Sequence, residues 1–177
     1  MTISLRPATP SDAPAISRIQ RLGWESTYIN DAVGITREKM TALLANTEER
    51  IEKTRQTIAD ITWTKDGLWV AEDNGTVVGF VRPRMDDRGR HRVGALYVLP
   101  EAQGKGVGSL LLEKVKEFFH DHPISLEVAT YNHRARRFYE QHGFQATGHL
   151  SEIETKKDGV RFFAIPVEEM VWKAPTE

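Results

Sequence analysis

Residues 99–109 read LPEAQGKGVGS and stand between a segment of alternating apolar residues and a segment of helical periodicity. Gly104, Gly106 and Gly108 can adopt the tight turns that bring several backbone N–H groups to one side of a loop. The first N–H groups of a helix also carry the positive end of its dipole, which favours a bound anion. The stretch therefore predicts a phosphate or pyrophosphate cradle between a strand and a helix.

The spacing of this loop differs from that of two common phosphate-binding motifs. A Walker A loop needs Gly-x-x-x-x-Gly-Lys-Ser/Thr, but Leu99 occupies its first glycine position and Gly106 follows Lys105. The dinucleotide fingerprint needs a third glycine where Ser109 stands, and it follows the first strand of a βαβ unit. The present loop follows the fourth predicted strand. A glycine-rich turn that only joins strand to helix is the alternative for the loop taken alone.

Hydrophobic periodicity predicts four strands and two helices before the loop. Ser11 or Asp12 can cap the first helix, and Asn74-Gly75 is typical of a type I′ hairpin turn. In order, we expect a strand over residues 3–6, a helix from about residue 12, a long amphipathic helix over 36–60, a hairpin of strands 68–72 and 77–81, a polar loop over 82–92 and a strand over 93–99.

After the loop, the apolar spacing predicts a helix over residues 107–119 and a strand over 124–130. A helix over 132–142 and a hairpin of strands 144–154 and 160–172 complete the chain. The order β-α-α-β-β-β-α-β-α-β-β indicates an α/β (α+β) protein with a mixed sheet and helices packed on it. A doubly wound parallel sheet would need strands and helices in strict alternation.

Composition narrows the class of function. The 177 residues are 40% hydrophobic and 28% charged, as is typical of one globular domain. Lys and Arg number 24 against 25 Asp and Glu, so the basic excess of a nucleic-acid-binding protein is absent. The absence of cysteine excludes disulfides, zinc–thiolate sites and a cysteine nucleophile. Neither an apolar signal segment nor an apolar run of membrane-spanning length is present, so we expect a cytoplasmic protein without a membrane partner.

The chain contains two motifs in the order and at the spacing that are typical of one protein family. Residues 103–108, QGKGVG, resemble the acyl-CoA signature Gln/Arg-x-x-Gly-x-Gly/Ala of the GNAT superfamily of N-acetyltransferases. Residues 132–144, NHRARRFYEQHGF, resemble the second signature, Asn-x-x-Ala-x-x-Phe/Leu-Tyr-x-x-x-Gly-Phe. The resemblance covers nearly the whole chain. It departs from the minimal family pattern at residues 31–65, which we expect to form an enlarged helical segment on the acceptor side.

The resemblance implies the fold, the chemistry and the co-substrate. The expected fold is the acyl-CoA N-acyltransferase fold, a mixed, mostly antiparallel sheet of about seven strands with a splayed parallel pair and helices on both faces. Residues 1–177 would form this single domain. The expected co-substrate is acetyl-CoA, with no metal, and the acceptor is a primary amine of a small molecule or peptide. A homodimer is expected from the resemblance alone.

In this family, coenzyme A lies where two parallel strands splay apart, which places it here between residues 93–99 and 124–130. Backbone groups of Leu96, Tyr97 and Val98 would bond the pantetheine arm, and the Val98 N–H would polarise the thioester carbonyl. An ordinary strand with all its amides paired is the alternative. The other residues that we expect at the cofactor are Gln103, Gly104, Lys105, Gly106, Val107, Gly108, Ser109, Asn132 and Arg136. Arg134 and Arg137 are further candidates for the nucleotide phosphates, and a solvated helix face is the alternative for these arginines.

The resemblance also assigns two catalytic side chains. Tyr139 stands at the position of the family's general-acid tyrosine, where a phenol can donate a proton to the thiolate that leaves; packing in the core is its alternative role. The attacking amine must lose a proton, and Glu127, in a Leu-Glu-Val strand, is the candidate base. A solvated strand carboxylate is the alternative for Glu127, and Asp86, Asp87 and Glu25 are substitutes for it as base.

The acceptor is expected beside the end of the first helix, where Trp24, Glu25 and Tyr28 combine aromatic rings with a carboxylate. That combination suits a cationic amine, although aromatic residues at a helix end also pack in cores. Two classes of function fit the whole pattern. One is an N-acetyltransferase that acts through a ternary complex by direct attack of the amine, and the other is a non-catalytic acyl-CoA-binding sensor or interaction module of the same fold.

Overall fold

The computed structural model describes residues 2–120 and 122–174. The strands are β1 (Ile3–Pro7), β2 (Trp69–Asp73), β3 (Thr76–Met85), β4 (His91–Val98), β5 (Ile124–Ala129), β6 (Gln145–Lys157) and β7 (Val160–Trp172). The helices are α1 (Ala13–Thr27), α2 (Arg37–Leu44), α3 (Thr47–Ala59), α4 (Val107–Phe118) and α5 (His133–Gln141). All seven strands belong to one sheet, in the order β1-β2-β3-β4-β5-β7-β6.

The sheet is mixed, and its single parallel pair among the described residues is β4 with β5. These two strands pair only at His91 with Ile124 and at Arg92 with Ser125, and beyond that point they diverge. β5 instead pairs along its whole length with β7. The predicted mostly antiparallel sheet of about seven strands with a splayed parallel pair is confirmed.

Helices cover both faces of the sheet. Gly23 of α1 lies against the ring of Tyr97, and Gly108 of α4 lies against the side chain of Val98. Adjacent residues of a strand project to opposite faces, so α1 and α4 lie on opposite sides of β4. A Cβ atom at Gly23 would overlap the Tyr97 ring, which explains why a glycine stands in the body of α1.

The single helix that we predicted over residues 36–60 is wrong, because two helices occupy this segment. α2 ends at Leu44, and the side chain of Asn46 accepts a hydrogen bond from the N–H of Glu49 at 3.2 Å to begin α3. Asparagine is among the strongest N-cap residues, and it starts a new helix here. The two helices consequently pack in different clusters, α2 through Met40 and Leu44 and α3 through Ile58.

The polar loop that we predicted over residues 82–92 is also wrong. β3 continues to Met85 and β4 begins at His91, so most of the segment forms a hairpin. Asp86 closes the turn, because its Oδ1 accepts the N–H groups of Arg88 and Arg90, both at 3.0 Å. The alternation of this hairpin was concealed by arginines and by a bulge between Arg82 and Pro83.

A second, smaller cluster of buried residues supports the end of the sheet near the C-terminus of α1. Met40 and Leu44 of α2 pack there on Ile165 and Val167 of β7, and Tyr28 packs against the same cluster. The Nζ of Lys157 on β6 donates to a backbone carbonyl of α2 at 2.8 Å. α2 therefore braces the sheet from behind Tyr28.

Among the helices of residues 2–120 and 122–174, none has the length and apolar character that crossing a membrane requires.

Candidate active site

A cleft of about 770 Å³ opens where β4 and β5 diverge. This volume lies within the range of small-molecule sites. Its walls are residues 93–98 of β4, residues 126–129 of β5, the loop that leads into α4, the C-terminal end of α1 and one face of α5. Both sequence motifs thus meet at one cavity, because the splay brings the start of α4 next to α5.

Backbone donors of β4 face this cleft. The Leu99 N–H donates to the Val78 carbonyl on the β3 side at 2.8 Å, and successive residues of a strand direct their N–H groups to opposite neighbours. The N–H groups of Leu96 and Val98 therefore point toward β5, which has already diverged. The Val98 carbonyl accepts a hydrogen bond from Gln103 Nε2 at 2.9 Å. The backbone N–H and C=O groups of Tyr97 face β3, and Tyr97 itself lies on the cleft wall.

The start of α4 presents unpaired N–H groups to the same cleft. The first α-helical hydrogen bond runs from the Leu110 N–H to the Gly106 carbonyl at 3.0 Å, so the N–H groups of Val107, Gly108 and Ser109 have no helical partner. Val107 itself is buried and lies off the cleft wall, so only its backbone can contribute. The group of donors forms a cradle for an anion.

The loop glycines serve two different purposes. Gly104 and Gly106 have φ of 75° and 81°, a conformation that L side chains rarely adopt. Gly108 has an ordinary φ, but a Cβ atom there would lie 3.3 Å from the Phe138 ring. Positions 104 and 106 therefore shape the loop, whereas position 108 lets α4 approach α5.

The positive groups predicted near the cradle do not all lie on the cleft wall. Arg134 lies on the cleft wall. Arg136 lies off the wall and pairs with Glu140 at 3.1 Å and with Glu168 at 2.7 Å. Lys105 also lies off the wall, on the exposed loop. Asn132 lies on the wall and caps α5 through the Ala135 N–H at 3.1 Å.

All four tyrosines of the chain lie on the cleft wall. The hydroxyls of Tyr28 and Tyr97 are 3.3 Å apart, and the Tyr131 hydroxyl donates to the Tyr28 carbonyl at 3.0 Å. Burial raises the pKa of Tyr97 well above its usual value and that of Tyr131 to about 12. Tyr131 was missed by the sequence analysis, although its place directly before the N-cap of α5 could have identified it.

Tyr139 projects from α5 into the cleft. Its ring packs edge-on against Phe138 and Phe144, with centroid separations of 5.2 and 5.6 Å. Burial raises the pKa of Tyr139, and the neighbouring Tyr28 raises it further. The phenol consequently keeps its proton throughout the physiological pH range, as a proton donor requires.

Glu127 lies on the opposite wall of the cleft, on β5. Its Oε2 is 3.1 Å from Nη2 of Arg92, whose side chain is only 8% exposed. Asp86, a substitute candidate for the base, lies off the wall in the hairpin turn. Hydrogen bonds from the backbone N–H groups of Arg90 and Arg88, together with the Arg90 side chain, lower the pKa of Asp86 to about 2.

The three residues predicted at the acceptor do not share one location. Tyr28 lies on the cleft wall, whereas Trp24 and Glu25 lie off it. The Trp24 ring packs edge-on against Tyr28 at 5.1 Å, and Glu25 pairs with Arg21 at 3.1 Å. Gly23, Ser26 and Thr27 face the cleft instead. They have the i, i+3, i+4 spacing of one helical face, a signal that the sequence already carried.

Within residues 2–120 and 122–174, no group of three or more His, Cys, Asp or Glu side chains is gathered as metal ligands are.

Comparison with known proteins agrees with this geometry. Residues 37–144 match the model of the acetyltransferase (GNAT) family. The chain is 27% identical over 173 residues to "Probable N-acetyltransferase Rv2775" of Mycobacterium tuberculosis, covering 91% of this chain and 94% of that protein. It is 28% identical to the peptidyl-lysine N-acetyltransferase YiaC of Escherichia coli, covering 86% of this chain and 90% of that protein.

Solved structures show the same fold. The PaiA N-acetyltransferase of Thermoplasma acidophilum, solved in complex with coenzyme A, superposes with a TM-score of 0.69 at 20% identity, covering 98% of this chain and 99% of that chain. At this identity the likeness concerns the fold alone. The family match covers more than half of the sequence and includes both the glycine loop and the Tyr139 helix. The chain therefore belongs to the acetyltransferase (GNAT) family.

Proposed function

We propose that this protein transfers the acetyl group of acetyl-CoA to a primary amine of a small molecule or peptide, within a single domain over residues 1–177. The observation that carries the proposal is the splay of β4 from β5, which opens directly onto the first turn of α4. One cavity thereby contains the N–H groups that can bind an anion, together with Tyr139 and Glu127. The two substrates bind in it together, and the amine attacks directly.

The residues present fit acetyl-CoA. The unpaired N–H groups of residues 107–109 would hold its pyrophosphate, with Arg134 beside them. The N–H groups of Leu96 and Val98 would bond the amide-bearing pantetheine arm as a neighbouring strand does. Arg134 is a better candidate for a phosphate than Arg136, because two carboxylates already bind Arg136. When bound, acetyl-CoA supplies an acetyl thioester, which becomes an amide on the amine and a free thiol.

Tyr139 serves as the general acid. Its raised pKa keeps the phenol protonated, so that the O–H can donate to a sulfur on which negative charge develops. Its ring lies on the cleft wall and is fixed by Phe138 and Phe144. The Val98 N–H of β4 serves as an oxyanion donor.

Glu127 accepts the proton of the attacking amine, directly or through water. An amine is mostly protonated at neutral pH, so the reaction needs a proton acceptor at the cleft. Arg92 holds one oxygen of the carboxylate at 3.1 Å and thereby fixes its orientation. Arg92 acts through Glu127 and is a positioning residue; its other nitrogen lies 3.8 Å from Asp86.

The acceptor binds beside the C-terminal end of α1. Rings of Tyr28, Tyr97 and Tyr131 lie on the wall there, and aromatic faces attract a cationic amine. The E. coli relative is a peptidyl-lysine N-acetyltransferase, which supports an acceptor of this kind. In the part of the chain that the structure describes, none of residues 31–65 lies on the cleft wall. α2 would influence the acceptor through its packing in the cluster that includes Tyr28.

An acceptor screen tests the proposal. The pure protein is incubated with acetyl-CoA and panels of polyamines, amino acids, antibiotics and lysine peptides, and the released thiol is measured. Acceptor-dependent thiol release is the expected result. Binding of acetyl-CoA in calorimetry without transfer to any acceptor would favour the non-catalytic sensor, and absence of binding would overturn the assignment of the cleft.

A further inference from the structure

The imidazole of His142 connects the last turn of α5 to the first turn of α4. Its Nδ1 is 2.7 Å from the Phe138 carbonyl oxygen, and its Nε2 is 2.9 Å from Oγ of Ser109. Ser109 lies on the cleft wall at the cradle. The ring also stacks on Phe138 with a centroid separation of 4.4 Å. Ser109 therefore links His142 by a hydrogen bond to the proposed anion site.

The partners of the ring determine which atoms carry protons. A carbonyl oxygen can only accept, so Nδ1 must donate to Phe138 and must carry a hydrogen. In a neutral ring Nε2 is then a bare acceptor, and the Ser109 hydroxyl has to donate to it. The hydrogen of Ser109 thus points at His142, and only oxygen lone pairs are left for the cleft.

Protonation of the ring reverses this second hydrogen bond. Nε2 then carries a hydrogen and donates to the Ser109 oxygen, which frees the Ser109 hydrogen for another acceptor. An anion in the cradle is such an acceptor, and it also gains from the added positive charge. When the ring is neutral, by contrast, the Ser109 oxygen faces the anion with its lone pairs.

We propose that His142 is a positioning residue for the cradle, which by taking up a proton converts the Ser109 hydroxyl into a hydrogen-bond donor for a bound pyrophosphate. The inference rests on the proposed binding of acetyl-CoA at this site. Because the coupling between protonation and binding is reciprocal, binding of the pyrophosphate should be accompanied by uptake of a proton at His142. The affinity for the pyrophosphate is therefore expected to rise as the pH falls.

Two charged groups near the ring, Lys116 and Glu140, are already paired. Lys116 of α4 donates to the His142 carbonyl at 3.3 Å and pairs with Glu113 at 2.8 Å. Its ammonium also lies 5.0 Å from the centroid of the Trp172 ring on β7. On α5 itself, Glu140 pairs with Arg136. The contact that changes on protonation of the ring is therefore the one to Ser109.

The test is calorimetric binding of 3′-dephospho-CoA to the pure protein between about pH 8 and about pH 5.5. This ligand keeps the pyrophosphate and lacks the 3′-phosphate, whose second ionisation falls near pH 6. We expect affinity to increase about tenfold toward the lower pH, the effect of one hydrogen bond to a charged group. Titrations in buffers of different ionisation enthalpy should show uptake of up to one proton.

Two variants isolate the contact. His142→Asn keeps an amide N–H for the Phe138 carbonyl and removes the group that meets Ser109, and Ser109→Ala removes the hydroxyl from the other side. Both should keep the Tm near that of the wild type and show affinity that no longer varies with pH. His149→Gln, at an exposed position on β6, is the control and should keep the wild-type pH profile.

The outcomes separate the inference from the proposed function. Equal pH slopes in the wild type, His142→Asn and Ser109→Ala would overturn the role of His142. Weaker binding by the same factor at every pH would show a purely structural contact and would overturn it too. If His142→Asn does not fold, Ser109→Ala decides alone. If 3′-dephospho-CoA did not bind at any of the pH values tested, the cofactor site itself would be refuted.

Discussion

The carboxylate of Glu127 lies 3.1 Å from the guanidinium of Arg92, so the proposed base is one half of an ion pair with a buried partner. Arg92 stands on β4 and Glu127 on β5, at the level where these strands begin to separate. The pair fixes the carboxylate at the inner end of the cleft. Glu169 stands directly opposite Glu127 on β7 and pairs with Arg90 at 3.3 Å.

Glu127→Gln should slow transfer at neutral pH by roughly 10²-fold, the effect of losing a general base. The rate should partly recover at high pH, where the amine loses its proton unaided. Steady-state kinetics with a verified acceptor over a pH series measures both effects. Glu169→Gln is the matched control, since it changes a carboxylate on the adjacent strand that lies off the cleft wall. Equal rates for Glu127→Gln and the wild type at neutral pH would remove Glu127 from the mechanism.

The part of the site that could be predicted from the sequence lies in short local motifs. The glycine loop and the residues 132–144 carry their own turn and cap signals. Gly106, Asn132 and Tyr139 of these motifs lie on the cleft wall, and their roles there stay predictions. The type I′ turn is also confirmed, because Asn74 and Gly75 both have positive φ. These features depend on neighbours in the chain and can be predicted from a short stretch of sequence.

Contacts between distant segments could not be predicted in this way. The Arg92–Glu127 pair and the Tyr28–Tyr97 contact join residues 35 and 69 positions apart, and they depend on the order of strands in the sheet. Gly23 is another residue whose role depends on a contact between distant segments. The sequence shows an unexplained glycine in a helix, and only the packing of α1 on Tyr97 gives its reason.

Gly106→Asp should abolish acetyl-CoA binding. A carboxylate would enter the anion cradle, and its backbone would have to adopt a φ of 81°. Gly106→Asn is the matched control, because asparagine tolerates this conformation and adds a side chain of the same size without charge. Calorimetry should show weaker binding for Asn and none for Asp. Equal affinity of both variants and the wild type would place the pyrophosphate elsewhere.

The pair of Asp12 with Arg6 predicts a pH-dependent stability. Hydrogen bonds from Arg6, at 2.7 and 2.8 Å, lower the pKa of Asp12 to about 2. Its unfolded pKa is about 3.9, so the ionised carboxylate stabilises the fold above about pH 4 and this stabilisation is lost as the pH falls through about 2. The contribution is of the order of 1–2 kcal/mol. Urea unfolding of Asp12→Asn should show a lower free energy of unfolding at neutral pH and a smaller further loss in acid. A parallel acid loss in both proteins would contradict this role.

Tyr139→Phe is the sharpest test of the mechanism, because it keeps the ring and removes only the hydroxyl. The packing against Phe138 and Phe144 should survive, so the Tm and the Kd for acetyl-CoA should stay near the wild-type values. The kcat should fall by roughly 10²–10⁴-fold, the contribution of a positioned proton donor. The loss should appear equally in kcat/KM, since the interaction forms only as the thiolate leaves.

Tyr131→Phe provides the matched control for that variant. It removes another hydroxyl from the same wall, one that donates to the Tyr28 carbonyl, so it should raise the KM for the acceptor more than it lowers kcat. The comparison requires an acceptor for which chemistry limits the rate. If Tyr139→Phe then turned over as fast as the wild type, solvent or another group would have to protonate the sulfur. Tyr139 would in that case contribute only its packing between Phe138 and Phe144, and the acid would have to be sought among Tyr28 and Tyr97, whose hydroxyls meet at 3.3 Å on the same wall.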